Sequence, residues 1–294
     1  SLRDLAPGGF GGTRPRYGSS MMWRDGEILT LRRNWGPPGR RCAELVVRVT
    51  AAPSRADSLQ VDRRLRAIAY ETVTGIPGVG EEVRMDVSAL DRGLGTGGHA
   101  MVVARPGVLP EDPVREGHLV KARYMPDQVM VAGVDEQGAV HHELLCAPID
   151  DLTLEGTPVV IADLHSALPA ILAGARATRG AHDQVRAVYV MTDGGALPLA
   201  YSRTVAALRR VGWLAGTVTS GQAWGGDVEA VSVYNALLAA RHVLGADLVV
   251  LAQGPGNLGT DTPWGFSGVA CGDAVNAVAV LGGRAIACLR VSQA

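Results

Sequence analysis

The chain has 294 residues, of which 28 are basic and 29 acidic; 47% are apolar and 19% charged. Those totals describe a globular chain of one large or two ordinary domains and exclude a disordered one. They also exclude the basic footprint of a nucleic-acid binder, and no apolar run reaches membrane-spanning length, because Asp247 interrupts the longest.

Residues 1–21, rich in Gly and Arg, are expected to be a tail. From 22 to 151 the chain is expected to form a small all-β domain, barrel- or sandwich-like. ILTLRR, CAELVVRV, LRAIAYETV, EEVRMDV, HAMVVARP, GHLVKARY and DQVMVAGV are short runs rich in β-branched residues, split by Gly, Pro and Asp. Arg32–Arg33, Arg40–Arg41 and Arg63–Arg64 are short basic pairs that read as solvated faces. GLGTGG, from Gly93, reads as a hairpin turn before His99; its alternative role is to reach over a site in the second half. Lys121 is the only lysine, and the four cysteines, Cys42, Cys146, Cys271 and Cys288, form no CxxC pair. They read as buried thiols of a reducing cytoplasm.

From 157 to 294 the pattern changes to an expected α/β domain of three layers. PVVIA, VRAVYVM, LAGTVT, DLVVLA and RAIACLRV recur at a βαβ spacing, the last ending at Val291. Between them Leu164, Leu168, Ile171 and Ala175 share a helical face. So do Tyr201, Val205 and Leu208, and then Val233, Leu237, Ala240 and Leu244. Gly180, Gly212, Gly245 and Gly282 stand where these helices should end. The expected fold is an open, mostly parallel, doubly wound (Rossmann-like) sheet with helices on both faces.

Such sheets bind ligands beyond the carboxyl ends of their strands. Here those ends carry DLHS, TDGGALP, TSGQAWGGDVE and LAQGPGNLGTDTPWGFSG, whereas the opposite loops are plain apart from His182. Asp163 and His165 leave their strand two residues apart, a spacing that puts both side chains on one side. They read as an acid–base pair, or, with Ser166, as caps for the following helix. Asp193 is a strand-end acid followed by Gly194 and Gly195, which admit a ligand close to the backbone. Asp227, after Gly226, reads as the N-cap of the next helix with Glu229 in its first turn; Ser220 sits on the same loop. Gly254, Gly256 and Gly259 match G-x-G-x-x-G, with Asn257 between them and Thr260 as a hydroxyl donor, but no helix follows at once. The expected loop supplies backbone N–H groups to a phosphate, anchored by Trp264 and Phe266. One histidine among scattered carboxylates admits only an oxygen-rich site for a Mg²⁺- or Mn²⁺-type ion.

GLGTGGHAMVVA, GHLVKARYMPDQ, PVVIADLHSALPAI, VMTDGGALPLAYS, AWGGDVEAVSVYNAL and GPGNLGTDTPWGFSG together resemble a bacterial family catalogued only as a domain of unknown function, number 3866. The resemblance spans most of 22–291 and implies no reaction. Two functions are therefore expected from the loops alone. One is a hydrolase or group transferase acting on a small polar or phosphorylated metabolite, with Asp163, His165 and Asp193 catalytic. The other is a non-catalytic sensor or assembly subunit. In both, the expected ligand is a small anion, without nucleic acid or membrane, in a cytoplasmic homo-oligomer.

Overall fold

The computed structural model describes residues 21–114, 116–178, 185–194 and 198–289; the tail up to Ser20, Gly180, His182, Gly195 and Val291 lie outside them. Five strands form a closed barrel: β1 (Trp23–Trp35), β2 (Cys42–Ala51), β3 (Arg64–Tyr70), β4 (Glu82–Asp86) and β5 (Ala100–Ala104), in the order β1-β2-β3-β5-β4. All pairings are antiparallel except β3 with β5. β1 closes the barrel by pairing along its length with β2 and through Trp23–Glu27 with β4. Register shifts along its β2 edge let so long a strand bend around the barrel. Gly26 is needed at that bend, because a Cβ there would sit 2.6 Å from the Val47 side chain and 2.8 Å from a backbone oxygen. Alternation on β2 turns Ala43, Leu45, Val47 and Val49 into the barrel core and leaves Glu44, Val46 and Arg48 on its outside.

The expected strands GHLVKARY and DQVMVAGV do not join the barrel. They become β6 (Leu119–Lys121) and β7 (Val129–Val131), a two-stranded ribbon paired only with itself. The ribbon leans on the second half of the chain: Val134 N–H donates to the Glu229 carbonyl at 2.8 Å. Leu152 and Leu154 likewise belong to the core of the second half.

That half is a six-stranded, all-parallel sheet. Its strands are β8 (Pro158–Ala162), β9 (Ala187–Thr192), β10 (Gly216–Thr219), β11 (Val228–Glu229), β12 (Leu248–Gln253) and β13 (Arg284–Ala287), in the order β11-β10-β9-β12-β8-β13. The runs are apolar on both faces because both are covered. Val159, Val188, Val190, Val249 and Leu251 meet the helices Val233–Leu238 and Ala270–Val280 on one face. Tyr189, Met191, Val250 and Ala252 meet Leu168–Ala177 and Arg203–Arg210 on the other. Gly212, Gly245 and Gly282 all take left-handed φ values, of 69°, 64° and 68°, as helix-ending glycines do.

The helix starts differ from expectation. Neither Asp163 nor Ser166 caps the Leu168–Ala177 helix, which is entered through a 3₁₀ turn at His165–Ala167. Ser232, not Asp227, caps Val233–Leu238, in a capping box with Asn235. Asp227 lies ahead of β11 and Glu229 inside it, because the chain adds one more parallel strand before turning into the helix. No helix among the described residues is long and apolar enough to cross a membrane.

Candidate functional site

The strand order marks a candidate site. β9 and β12 are neighbours, yet β9 leads to a helix on one face and β12 to a helix on the other. Their following loops diverge and open a crevice at the carboxyl edge. A cleft of about 290 Å³ lies there. Asp163 enters it from the end of β8, Asp193 and Gly194 from the end of β9, Gln253 from β12, and Cys271 and Asp273 from the first turn of Ala270–Val280.

β12 separates the two strand-end acids, so about 9.5 Å of sheet lies between the backbones of Asp163 and Asp193. That leaves room for a ligand between them rather than a direct contact. The Asp193 carboxylate accepts the Gln222 N–H at 3.1 Å, which fixes it against the neighbouring loop. Gly221, at φ 63°, makes that approach feasible, since a Cβ there would lie 2.7 Å from an Asp193 oxygen. Gln253 is buried. Its amide nitrogen donates to the Asp163 carbonyl at 2.8 Å, and its Oε1 finds no hydrogen-bond partner among the described residues. Gly194 packs against this amide and leaves no space for a side chain. The Cys271 thiol is pushed up by burial first and by the Asp163 charge second, which makes it a poor nucleophile.

Among the described residues, no cleft wall carries Lys, Arg or His. Beside the hydroxyls of Thr192, Ser232, Tyr234 and Ser267, the walls offer three carboxylates and an unused amide oxygen, which only accept hydrogen bonds. No group of three or more His, Cys, Asp or Glu among the described residues is disposed to hold a metal ion. Among the described residues the expected Mg²⁺- or Mn²⁺-type site therefore has no such group, because the strand-end acids stand a strand apart.

His165 is not in the cleft. The 3₁₀ turn carries it to the opposite face of the sheet, where the ring is buried between Tyr189 and Ser202. The proton positions in this chain follow from its ends. The carbonyls of Ala252 and Gln253 can only accept the Tyr189 hydroxyl proton, so Nδ1 carries the ring proton and Nε2 accepts from the Ser202 hydroxyl at 2.7 Å, whose oxygen also accepts Val205 N–H at 3.0 Å. Nδ1–H then donates to the Tyr189 hydroxyl at 3.0 Å, which donates to the carbonyls of Ala252 and Gln253. The ring is neutral, and burial pulls its pKa down to about 4. This is a staple between helix and sheet, with the serine hydroxyl already used as a helix cap.

The glycine-rich loop also departs from expectation. Gly259 and Phe266 pair as a bridge, Thr260 N–H donates to Gly265 O and Ser267 N–H to Leu258 O, both at 2.8 Å. The loop is a small hairpin held by those two hydrogen bonds, and its glycines stand away from the cleft. Trp264 sits at its tip 87% exposed and anchors nothing. Gly254, Gly256, Asn257, Gly259 and Thr260 do not line the cleft; Gly194 does. Ser220 is buried beside β9, its N–H on the Met191 carbonyl at 3.0 Å. Gly226 is buried, with its N–H on Thr219 Oγ1. Asp227 is held by Thr217 and by an ion pair with Arg209.

Sequence reasoning missed Gln253, Asp273 and Cys271. Asp273 has the position of an ordinary first-turn dipole partner, and Gln253 reads as one more residue of an apolar strand. The barrel supplies none of the cleft walls. It docks elsewhere, through Trp35 Nε1–H on Ala200 O at 2.8 Å and through the GLGTGG turn, whose Thr96 carbonyl accepts the Tyr201 hydroxyl. That turn thus does reach the second half, though not the cleft.

No curated protein and no solved structure matches the chain. A family model does match, that of a protein of unknown function (DUF3866), over residues 66–294. The match runs from the third barrel strand through the whole parallel sheet, more than half of the chain, and the protein belongs to that family.

Proposed function

We propose that the cleft at the β9/β12 switch binds a small, donor-rich metabolite, a polyol, amino sugar or amine, and acts on it as a hydrolase or group transferase. The observation that carries this reading is a lining rich in acids and, among the described residues, without a cation: Asp163, Asp193, Asp273 and the unpartnered Gln253 oxygen. Hydroxyls and ammonium groups satisfy such walls, whereas a phosphate is repelled by them. On this reading the ligand at this edge is donor-rich, in place of the anion expected from the loops. Asp163 and Asp193, flanking β12, are the pair that would take and return a proton across a bound hydroxyl. His165 has no part in it.

A second reading, a sensor that binds and does not react, is favoured by one observation: the Asp193 carboxylate is already engaged by the Gln222 N–H. Thermal-shift screening with polyols, amino sugars and amines, followed by calorimetry and turnover assays on the hits, separates the two. Binding that is lost at least tenfold in both Asp163→Asn and Asp193→Asn supports the site, and turnover lost in both supports the enzyme. Hits whose affinity ignores both substitutions would refute the site.

A further inference from the structure

A second concave region lies between the barrel and the sheet, and its chemistry is the reverse of the cleft's. Arg33 and Arg40, flanking the turn between β1 and β2, meet Arg203, Arg209 and Arg210 of the Arg203–Arg210 helix across an open groove of about 880 Å³. Its one acid, Asp227, is already paired with Arg209 and held by Thr217 N–H at 2.9 Å and by the Thr217 hydroxyl at 3.0 Å. The five guanidinium groups less this one carboxylate leave the lining at a formal charge of +4, in a chain whose net charge is −1.

The charges are not evenly spent. Arg33 holds Glu44 at 2.6 Å and Arg40 donates to the Gly226 carbonyl at 2.5 Å. Arg210 has no carboxylate partner among the described residues, and Arg203 rests on the Trp35 ring, 5.9 Å from its centroid. Trp35 is itself fixed, by its hydrogen bond to Ala200. The groove is thus a preformed wall with unneutralised cations on it, contributed by segments about 170 positions apart in the chain.

We infer that this groove is a binding site for a small phosphorylated molecule carrying two or more phosphoryl charges. Guanidinium forks match phosphate oxygens bidentately, and a polyanion relieves the mutual repulsion of the arginines. The volume falls within the roughly 300–1,000 Å³ typical of small-molecule sites. The near-zero net charge gives none of the extended basic surface that a nucleic-acid strand needs. The inference is independent of the cleft, which shares no wall residue with the groove.

The test is calorimetric titration of the full chain with inorganic pyrophosphate and with orthophosphate. Expected is saturable, salt-sensitive binding of pyrophosphate, at least tenfold tighter than orthophosphate. The double variant Arg203→Gln/Arg210→Gln, folded by circular dichroism because both side chains are exposed, should weaken it at least tenfold. Arg92→Gln, an exposed arginine outside the groove, should leave it unchanged. Absence of pyrophosphate binding, equal loss in Arg92→Gln, or indifference to the double variant overturns the inference. So does a single-stranded oligonucleotide that binds more tightly than pyrophosphate and loses that affinity in the same variant, since it would assign the groove to nucleic acid.

Discussion

The barrel and the parallel sheet each bury one glutamate, and they treat it in opposite ways. Glu44, on the outer face of β2, is 2% exposed, with Arg32 and Arg33 within 2.8 Å and Arg66 and His99 beyond them. The three guanidiniums keep their outer ends in water, at 40–46% exposure. The result is a carboxyl held below its usual range: burial opposes ionisation, but the arginine charges and His99 together outweigh it. Glu229, on β11, is 8% exposed and faces one lysine that is itself buried. Burial is the largest influence on both partners and pulls both toward their neutral forms, the glutamate upward and Lys121 downward. Both carboxylates are hidden from water, with opposite consequences, because Glu44 lies shallow under its arginines and Glu229 lies deep. What decides is whether the counter-charge stays hydrated.

The largest test of that contrast is Lys121→Met. The ammonium donates to the carbonyls of Ala223 at 2.8 Å, Ala230 at 2.9 Å and Thr219 at 3.3 Å, besides meeting Glu229 at 3.1 Å. Removing it strands a buried carboxylate and should cost about 3–5 kcal/mol in urea unfolding. Lys121→Met/Glu229→Leu should regain much of that loss. A double variant as unstable as the single one would show that the carbonyls, not the ion pair, need the lysine.

His165 sharpens the comparison as a buried ionisable group with no counter-charge. Its folded pKa of about 4 lies below the unfolded value of about 6.5. As pH falls below 6.5 the unfolded chain takes up a proton that the folded one refuses. Stability is therefore lost between pH ~6.5 and ~4, by about 3 kcal/mol in all. Denaturant titrations across that range should show the slope in the parent and little of it in His165→Gln.

Glu44→Gln is the smallest effect, because water screens its half-exposed partners. A loss of about 1 kcal/mol is expected at low salt, and added salt should restore stability to the variant by screening three unbalanced arginines. The pH signs of the two glutamates differ as well. Glu44, with a lowered folded pKa, stabilises above the unfolded value of about 4.3, and that contribution is lost as pH falls through the folded value. Glu229, with a raised one, costs stability as pH climbs from about 4.3 through its folded value. Acid limbs of the same slope in Glu44→Gln and Glu229→Gln would contradict this.

The parallel sheet, its two helix layers and the edge that carries the cleft were legible because apolar runs of strand length alternate with helical faces, and glycines end the helices at Gly212, Gly245 and Gly282. The barrel was legible as a set of short strands, but its order was not, since the β3–β5 parallel pairing leaves no local trace. Asp163 and Asp193 were legible as strand-end acids. His165 was misplaced because the two-residue spacing argument assumes extended backbone, and the chain has already turned into a 3₁₀ helix there. The hairpin in the glycine loop was not legible, because no local spacing announces the pairing of Gly259 with Phe266. The basic groove was invisible for a different reason: Arg33 and Arg40 are ordinary pairs until the fold sets them opposite Arg203 and Arg210.

Lys121 carries the chain's single ε-amino group, and the fold seals it beneath the ribbon. The folded protein accordingly offers lysine-directed chemistry no foothold. Acylation of that amine, or attachment of a tag to it, requires the ribbon to leave the sheet first, so any modification found at Lys121 dates from an opened molecule.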